Sequence, residues 1–324
     1  MKPRNLLVIW KDIPGRNKRI LSLLSFALPV LLWCAVSYLD FIWHPEVLIT
    51  NPGDVAYFTK DMRVDRHTVE AENAAMKATG KKTATGIRVN PVYLPAPHEV
   101  AISFVHAFTT PPRRAGEPWL HESLLHSIKI VFYAFLLSSI FGVPLGILCG
   151  AYRFYSKLFE PFIEFFRYLP APAFGALAVA VLGINDGPKI AIIFIGTFFQ
   201  QVLVISNTTS KLDGALIEAA QTLGGKNVKL LTHVVIPGIL PDVYRDMRIL
   251  LGWAWTYLIV AEVVGTSSGI TWFINQQAKY RIYDNVFASI VMIGIIGLIT
   301  DLILAWVGRR LFPYAYAEGE GAHG

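Results

Sequence analysis

Residues 216–241 read LIEAAQTLGGKNVKLLTHVVIPGILP, a mostly polar island set between apolar segments of membrane length. Residues 215–223 are good helix formers that place Leu216, Ala219, Ala220 and Leu223 on one helical face, and Gly224-Gly225 supplies a natural stop. Asn227 is expected to cap a second short helix running to Val235, which Pro237 and Pro241 break. The product is a helical hairpin lying in water between two spans. Side chains as small as Ala219 and Ala220 allow close approach by another protein's groove, and Glu218 beside them offers an acceptor to an arginine or lysine of that partner. The bland alternative is a surface hairpin with no partner, because Glu-Ala-Ala alone is a common helical tripeptide.

Composition fixes the class independently. In 324 residues, 54% are hydrophobic and only 16% charged, which is wrong for a soluble protein and right for a polytopic membrane protein. The net charge of +6 does not point to nucleic acid: no basic stripe with interleaved aromatics occurs, and the lysines and arginines concentrate beside apolar runs. Cys34 and Cys149 sit far apart within apolar segments with no histidine or carboxylate nearby, so they read as small packing residues and not as a disulfide or metal site.

Outward from the island, six spans are expected, at 20–43, 124–150, 161–183, 190–206, 249–265 and 286–307. The basic flanks at 1–19, Arg153 and Lys157, 211–248, and Arg309-Arg310 all fall on one face of that arrangement, which places both termini in the cytoplasm. The first apolar run is too long for the core of a secretory signal and has no small-residue cleavage site after it. Residues 44–122 turn polar and belong outside the membrane, with an interfacial helix following Leu94-Pro95-Ala96-Pro97 and presenting Val100, Phe104 and Phe108. His98 and His106 are eight apart without a carboxylate and read as solvated interfacial residues, not metal ligands. Ser138, Gly142, Gly146 and Gly150 recur every four residues and predict close approach of a neighbouring helix. Arg167, Pro170 and Pro172 mark a broken helix end, and such a break is tolerated in a membrane only against protein or a water-filled cavity. They are candidate pathway residues, with a snorkelling arginine beside a structural kink as the alternative. Gln200 and Gln201 lie inside a span and serve either helix packing or the solute. Trp253 and Glu262 share the fifth span; Glu262 is costly in lipid, must face protein or a cavity, and is expected to stabilise an outer gate by hydrogen bonding. Asp301 is expected to pair with a basic residue at the interface.

The Glu218-Ala219-Ala220 triplet, Gly224 and Val234-Val235-Ile236-Pro237 at their fixed intervals resemble the EAA loop of binding-protein-dependent ABC importer permeases. The LPAP start, Gly183 through Ile190, and Val260-Ala261-Glu262 match in order, so that 93–313 is similar to the nitrate/sulfonate/taurine branch of type I importers. The resemblance implies an all-α fold and a division into 1–43 (N-terminus and first span), 44–122 (periplasmic loop), 123–312 (permease core with the coupling loop at 210–241) and 313–324 (tail). It also implies a bacterial inner-membrane subunit without cofactor or metal that pairs with a second permease copy, docks a separate ATP-binding subunit through the loop, and receives its solute from a periplasmic binding protein. No G-x-x-x-x-G-K-[ST] loop occurs in the chain, so ATP hydrolysis is assigned to another polypeptide. A stand-alone secondary transporter is the rival; it would be expected to show repeated halves, and no internal repeat is visible. A membrane enzyme would need converging titratable groups, whereas Glu262, Asp301 and Arg167 fall at different depths. The departure from the branch is the polar stretch 51–91, which bears on how a binding protein docks.

Overall fold

The computed structural model describes residues 15–39, 42–111, 116–264 and 268–315, and the chain divides into two compact units. One comprises residues up to 109 together with 277–288; the other comprises 110–276 and the residues from 289 on. The basic residues Lys2, Arg4 and Lys11 and the tail from 316 onward lie outside the described residues.

The first unit opens with helix α1, Gly15–Tyr38, an apolar rod with Pro29 inside it. Beyond α1 the chain departs from the expected polar loop. Strand β1 (Glu46–Asn51) is the centre of a three-stranded antiparallel sheet, paired on one side with β2 (Arg63–Asp65) and on the other with β3 (Thr85–Val89). The alternation in β1 sends Val47 and Ile49 inward, where they meet Val55, Phe58, Ala84 and, from helix α2 (Arg66–Ala78), Val69. Asp65 caps α2 by accepting from the His67 amide at 2.9 Å. The Asn73 carboxamide clamps α2 to the strand by donating to Ala84 O at 2.9 Å and accepting from Ala84 N at 2.7 Å. Gly53 turns the chain with φ +58°, where a Cβ would stand 2.6 Å from the Lys82 and Thr83 carbonyls. The stretch is therefore a small α/β body with its own core, and the all-α description holds for the remainder of the chain. Helix α3, Pro97–Thr109, forms where a helix was expected after Leu94-Pro95-Ala96-Pro97. Trp33 of α1 donates to Pro95 O at 3.1 Å just before it, and Tyr38 of α1 bonds His98 at 2.6 Å.

The second unit is built on helix α4 (Leu120–Ala151) and helix α7 (Asp186–Ser210). The small-residue stripe predicted from sequence is the seam between them. A Cβ on Gly146 would stand 2.8 Å from Ile205 Cβ, and one on Gly142 2.9 Å from Gln201 Oε1. Between α4 and α7 the span expected at 161–183 is not one straight helix. Helix α5 (Arg153–Arg167) and helix α6 (Gly175–Leu182) are separated by a 3₁₀ turn, Ala171–Phe174, and bent by 87°. Pro170 and Pro172 account for the break, since neither carries a backbone N–H and each restricts the residue before it.

After helix α8 (Gly214–Thr222) comes the short helix α9 (Asn227–Leu230), then a π turn, Leu231–Val235, and then helix α10 (Ile236–Val264). Here a second expectation fails, because Pro237 and Pro241 do not end a helix. Pro237 is the second residue of α10, and the wider π turn before it relieves the clash between its ring and the preceding carbonyls. Helices α11 (Ile270–Lys279) and α12 (Tyr283–Leu311) complete the chain. By length and composition α1, α4, α7 and α12 are able to cross a membrane, and the bent α5/α6 pair is a fifth if taken as one span. The span expected at 249–265 falls in α10, whose first half carries Asp242, Arg245, Asp246 and Arg248. Asp301 of α12 pairs with Arg248 through both carboxylate oxygens, at 2.8 and 2.9 Å, as its position suggested.

Ile49 has no exposed surface and lies at the middle of the sheet's small core. Ile49→Ala is expected to destabilise this body by about 2–5 kcal/mol. Limited proteolysis should then cut within 46–89 at lower protease concentration than in the parent protein, with the α4–α7 fragment surviving unchanged.

Candidate functional site

The loop between α7 and α10 forms by local chemistry. Asp213 accepts from the Ala215 amide at 2.9 Å and starts α8. At the other end Leu223 is the cap and Gly224 takes φ +84°. Gly224 N donates to Gln221 O at 2.9 Å and Gly225 N to Ala220 O at 2.8 Å, the paired closure of a helix by a left-handed residue. Both glycines have separate reasons. At Gly224 the constraint is conformation, since a Cβ there would touch nothing; at Gly225 it is space, since a Cβ would stand 2.7 Å from Ala220 O. Asn227 begins α9 with φ +46°, a conformation asparagine tolerates better than most residues, and so it directs the chain without serving as the cap expected of it.

No residue of α8 is buried. Glu218 and Ala219 are exposed, and with them Leu216, Val228 and Leu223, the last at 89% exposure. Large apolar side chains held this far out on a well-formed helix pair mark a surface built to be covered. Pro237 is exposed next to this surface, whereas Pro241 is buried where α10 passes into the bundle.

At the opposite end of the bundle Glu262 is 2% exposed and fully engaged. It accepts from the Ser127 hydroxyl of α4 and, at 2.8 Å, from the Thr271 amide of α11. Ser127 Oγ in turn accepts from Ile270 N at 2.9 Å. Gly269, φ +109°, is packed so closely on the Glu262 carboxylate that any side chain would overlap it. The carboxylate thus ties the end of α10 to the start of α11 and to α4.

Beside it lies a second knot that sequence reading missed. Lys189 is 2% exposed, and its Nζ donates to Asp186 at 3.1 Å, to Ser268 Oγ at 3.1 Å and to Ser268 O at 3.3 Å. His126 bonds Asp186 and Ser268 Oγ, each at 3.0 Å. A lysine three residues after an aspartate at the head of an apolar run is the signal that was available for this knot, because a buried ammonium requires such partners.

The other pathway candidates do not converge with these. Gln201 is buried between α4 and α7, accepting from Ser138 Oγ at 2.6 Å and donating to Ser139 Oγ at 3.3 Å, so it glues the helix seam. Gln200 is half-buried and Trp253 exposed. Arg167 is exposed near the loop end of the bundle, lies over the Tyr168 ring at 4.5 Å, and lines a polar cavity of about 860 Å³ together with Glu160, Lys211 and Asp246. Pro170 is exposed and Pro172 half-buried at the α5/α6 bend.

A profile of the family described as "Binding-protein-dependent transport system inner membrane component" matches residues 142–313. The chain is 36% identical over 229 residues to a putative ABC transporter permease protein of Methanocaldococcus jannaschii, covering 69% of this chain and 84% of that one. A probable ABC transporter permease protein of Brucella melitensis is 36% identical over 185 residues, 57% of this chain and 75% of its own. The taurine transport system permease protein of Escherichia coli is 28% identical over 226 residues, 70% of this chain and 82% of its own.

The engagement of Glu262 makes its replacements distinguishable. Glu262→Gln keeps an acceptor for the Thr271 amide, whereas Glu262→Leu leaves that donor and the Ser127 hydroxyl unpaired at about 1–3 kcal/mol each. Thermal unfolding in detergent should place Glu262→Leu clearly below Glu262→Gln; coincident melting curves would show that the carboxylate holds nothing together.

Proposed function

The chain belongs to the binding-protein-dependent transport system inner membrane components, and from that membership we propose how it works as the permease subunit of an ABC importer. The solute is a small anion of the taurine, sulfonate, nitrate or bicarbonate class, the reading supported by relatives named for taurine, aliphatic sulfonates and bicarbonate. A periplasmic binding protein delivers it, a second copy of this chain completes the pathway, and a separate ATP-binding subunit grips the loop at 210–241. The chain itself performs no covalent chemistry.

The observation that carries the coupling role is the exposed α8 helix, closed by Gly224 and Gly225, with Glu218 and Leu223 uncovered. A force applied there has a direct mechanical route: the chain runs helically from Asn227 through the π turn into α10, which ends at the Glu262 knot. Tilting of the loop by its partner would move α10 as a lever and load the hydrogen bonds of Glu262 at the other side of the membrane. A secondary transporter has no use for such a lever, and the family membership does not favour it.

Gly224→Val forces a β-branched residue into the left-handed region at a cost of about 1–2 kcal/mol and misdirects α9, while Glu218→Lys reverses the charge offered to the partner. Both variants should insert normally yet fail to retain the ATP-binding subunit in a pull-down and lose coupled uptake in proteoliposomes. Wild-type association and uptake in both would reduce the loop to a connector.

Orientation has its own test. In intact cells an impermeant thiol reagent should modify Lys81→Cys and spare Gly224→Cys, in accordance with the basic residues flanking the loop; the reverse pattern would invert the topology.

A further inference from the structure

We propose that the unit formed by residues up to 109 and 277–288 carries a binding site for a small soluble oxyanion. The site is a cleft of about 420 Å³, within the size range of small-molecule sites, and it is polar. Three guanidinium groups line it, those of Arg63, Arg88 and Arg281. Arg63 spends one N–H on Asn90 O at 3.1 Å and keeps the others. The two carboxylates along the same cleft are already occupied as acceptors: Glu99 takes the Ala96 amide at 2.7 Å, and Asp284 takes the Ser103 hydroxyl at 2.5 Å. Three guanidinium groups against two carboxylates leave the cleft with a formal charge of +1 (3 − 2), and the cations are of the kind that pairs with oxyanions through two parallel hydrogen bonds.

A second observation is independent of charge. Ser37, at the end of α1, is 5% exposed and lines the cleft, and among the described residues its Oγ has no hydrogen-bond partner. The Asn90 carboxamide oxygen is likewise buried without a donor, and half a turn about its terminal torsion would present its N–H₂ instead. A buried hydroxyl left unpaired is a standing cost that a bound ligand removes. The buried Ser37 hydroxyl and the exposed arginines line the same cleft and together offer donors to an anion. The cleft lies in the body formed by the sheet, α2 and α3, the part of the chain that includes the polar stretch at 51–91. On the permease reading, from which its transport role follows, it would hold the solute close to the face where the binding protein delivers it.

The test uses the full chain in phosphatidylcholine nanodiscs at low ionic strength, titrated calorimetrically with sulfate, ethanesulfonate and bicarbonate. At least one should bind saturably, and Arg88→Gln and Arg281→Gln should each weaken it by about tenfold or more, as expected when a charge-assisted pair is lost. Ser37→Ala should weaken it less, and Lys60→Gln, outside the cleft, should leave it unchanged. Arg88 is exposed on a strand, so its variant reports even if Arg281, which sits at φ +57°, does not tolerate replacement. No saturable binding of any of the three anions, or unchanged affinity in Arg88→Gln, overturns the site. So does a cleft that retains phosphatidylglycerol in an Arg88-dependent way while ignoring the soluble anions, which would assign it to a lipid headgroup. Uptake by the reconstituted importer separates this proposal from the one it rests on: transport intact with no anion binding sinks the cleft alone, and anion binding intact with no anion uptake sinks the choice of solute.

Discussion

Two apolar helices in a bilayer gain nothing by hiding from water, because lipid is as apolar as they are. What holds α4 to α7 must therefore be contact and hydrogen bonding at short range. Gly142, Gly146 and Gly150 supply the first by letting backbone meet side chain, and Gln201 with Ser138 and Ser139 supplies the second. Remove the stripe and the helices separate by roughly the width of a methyl group or more along its whole length. Both polar ends of the bundle are built on this seam: α7 begins with Asp186, with Lys189 a turn later, and finishes where the exposed loop starts, while α4 carries His126 and Ser127 near its own start.

The larger unit thus has two polar ends with different designs. At one end the polar and apolar groups of α8 face outward and are satisfied only locally, by caps and turns. At the other, Lys189 and Glu262 are driven inward and each has named partners. Helix α10 belongs to both ends, and two prolines, Pro237 and Pro241, sit inside it directly after the π turn.

How much of this was legible depends on the scale at which each residue's role is decided. The first half of the loop at 216–241 was readable because its conformation is local, a helix-former run and a glycine stop; its second half was not, since Asn227 is not the cap and the prolines sit inside a helix. The small-residue seam was readable for the same reason, as a four-residue period on one helix. Lys189 was legible only as far as Asp186, three residues before it, because nothing within its own stretch says that Ser268 and His126 arrive beside it. The α5/α6 bend was half-visible: the prolines were noted, yet the apolar count across 161–183 suggested a single span, since counting ignores direction. The sheet at 46–89 was hidden by composition. Its core is only a handful of side chains, and the charged residues around them outnumber the alternation of Val47 and Ile49 that betrays β1.

That sheet also has an order of manufacture. Its central strand is made first, its short partner β2 follows after a turn, and β3 emerges only after α2 has been made. At a synthesis rate of roughly 5–20 residues per second, the interval between β1 and β3 is on the order of 2–7 s. During that interval one edge of β1 stands open, with Val47 and Ile49 uncovered and the preceding apolar helix already seeking its place in the bilayer. Helix α2, which forms from neighbouring residues alone, is able to shield Ile49 through Val69 before β3 arrives, acting as a temporary cover during biogenesis and a permanent wall of the core afterwards.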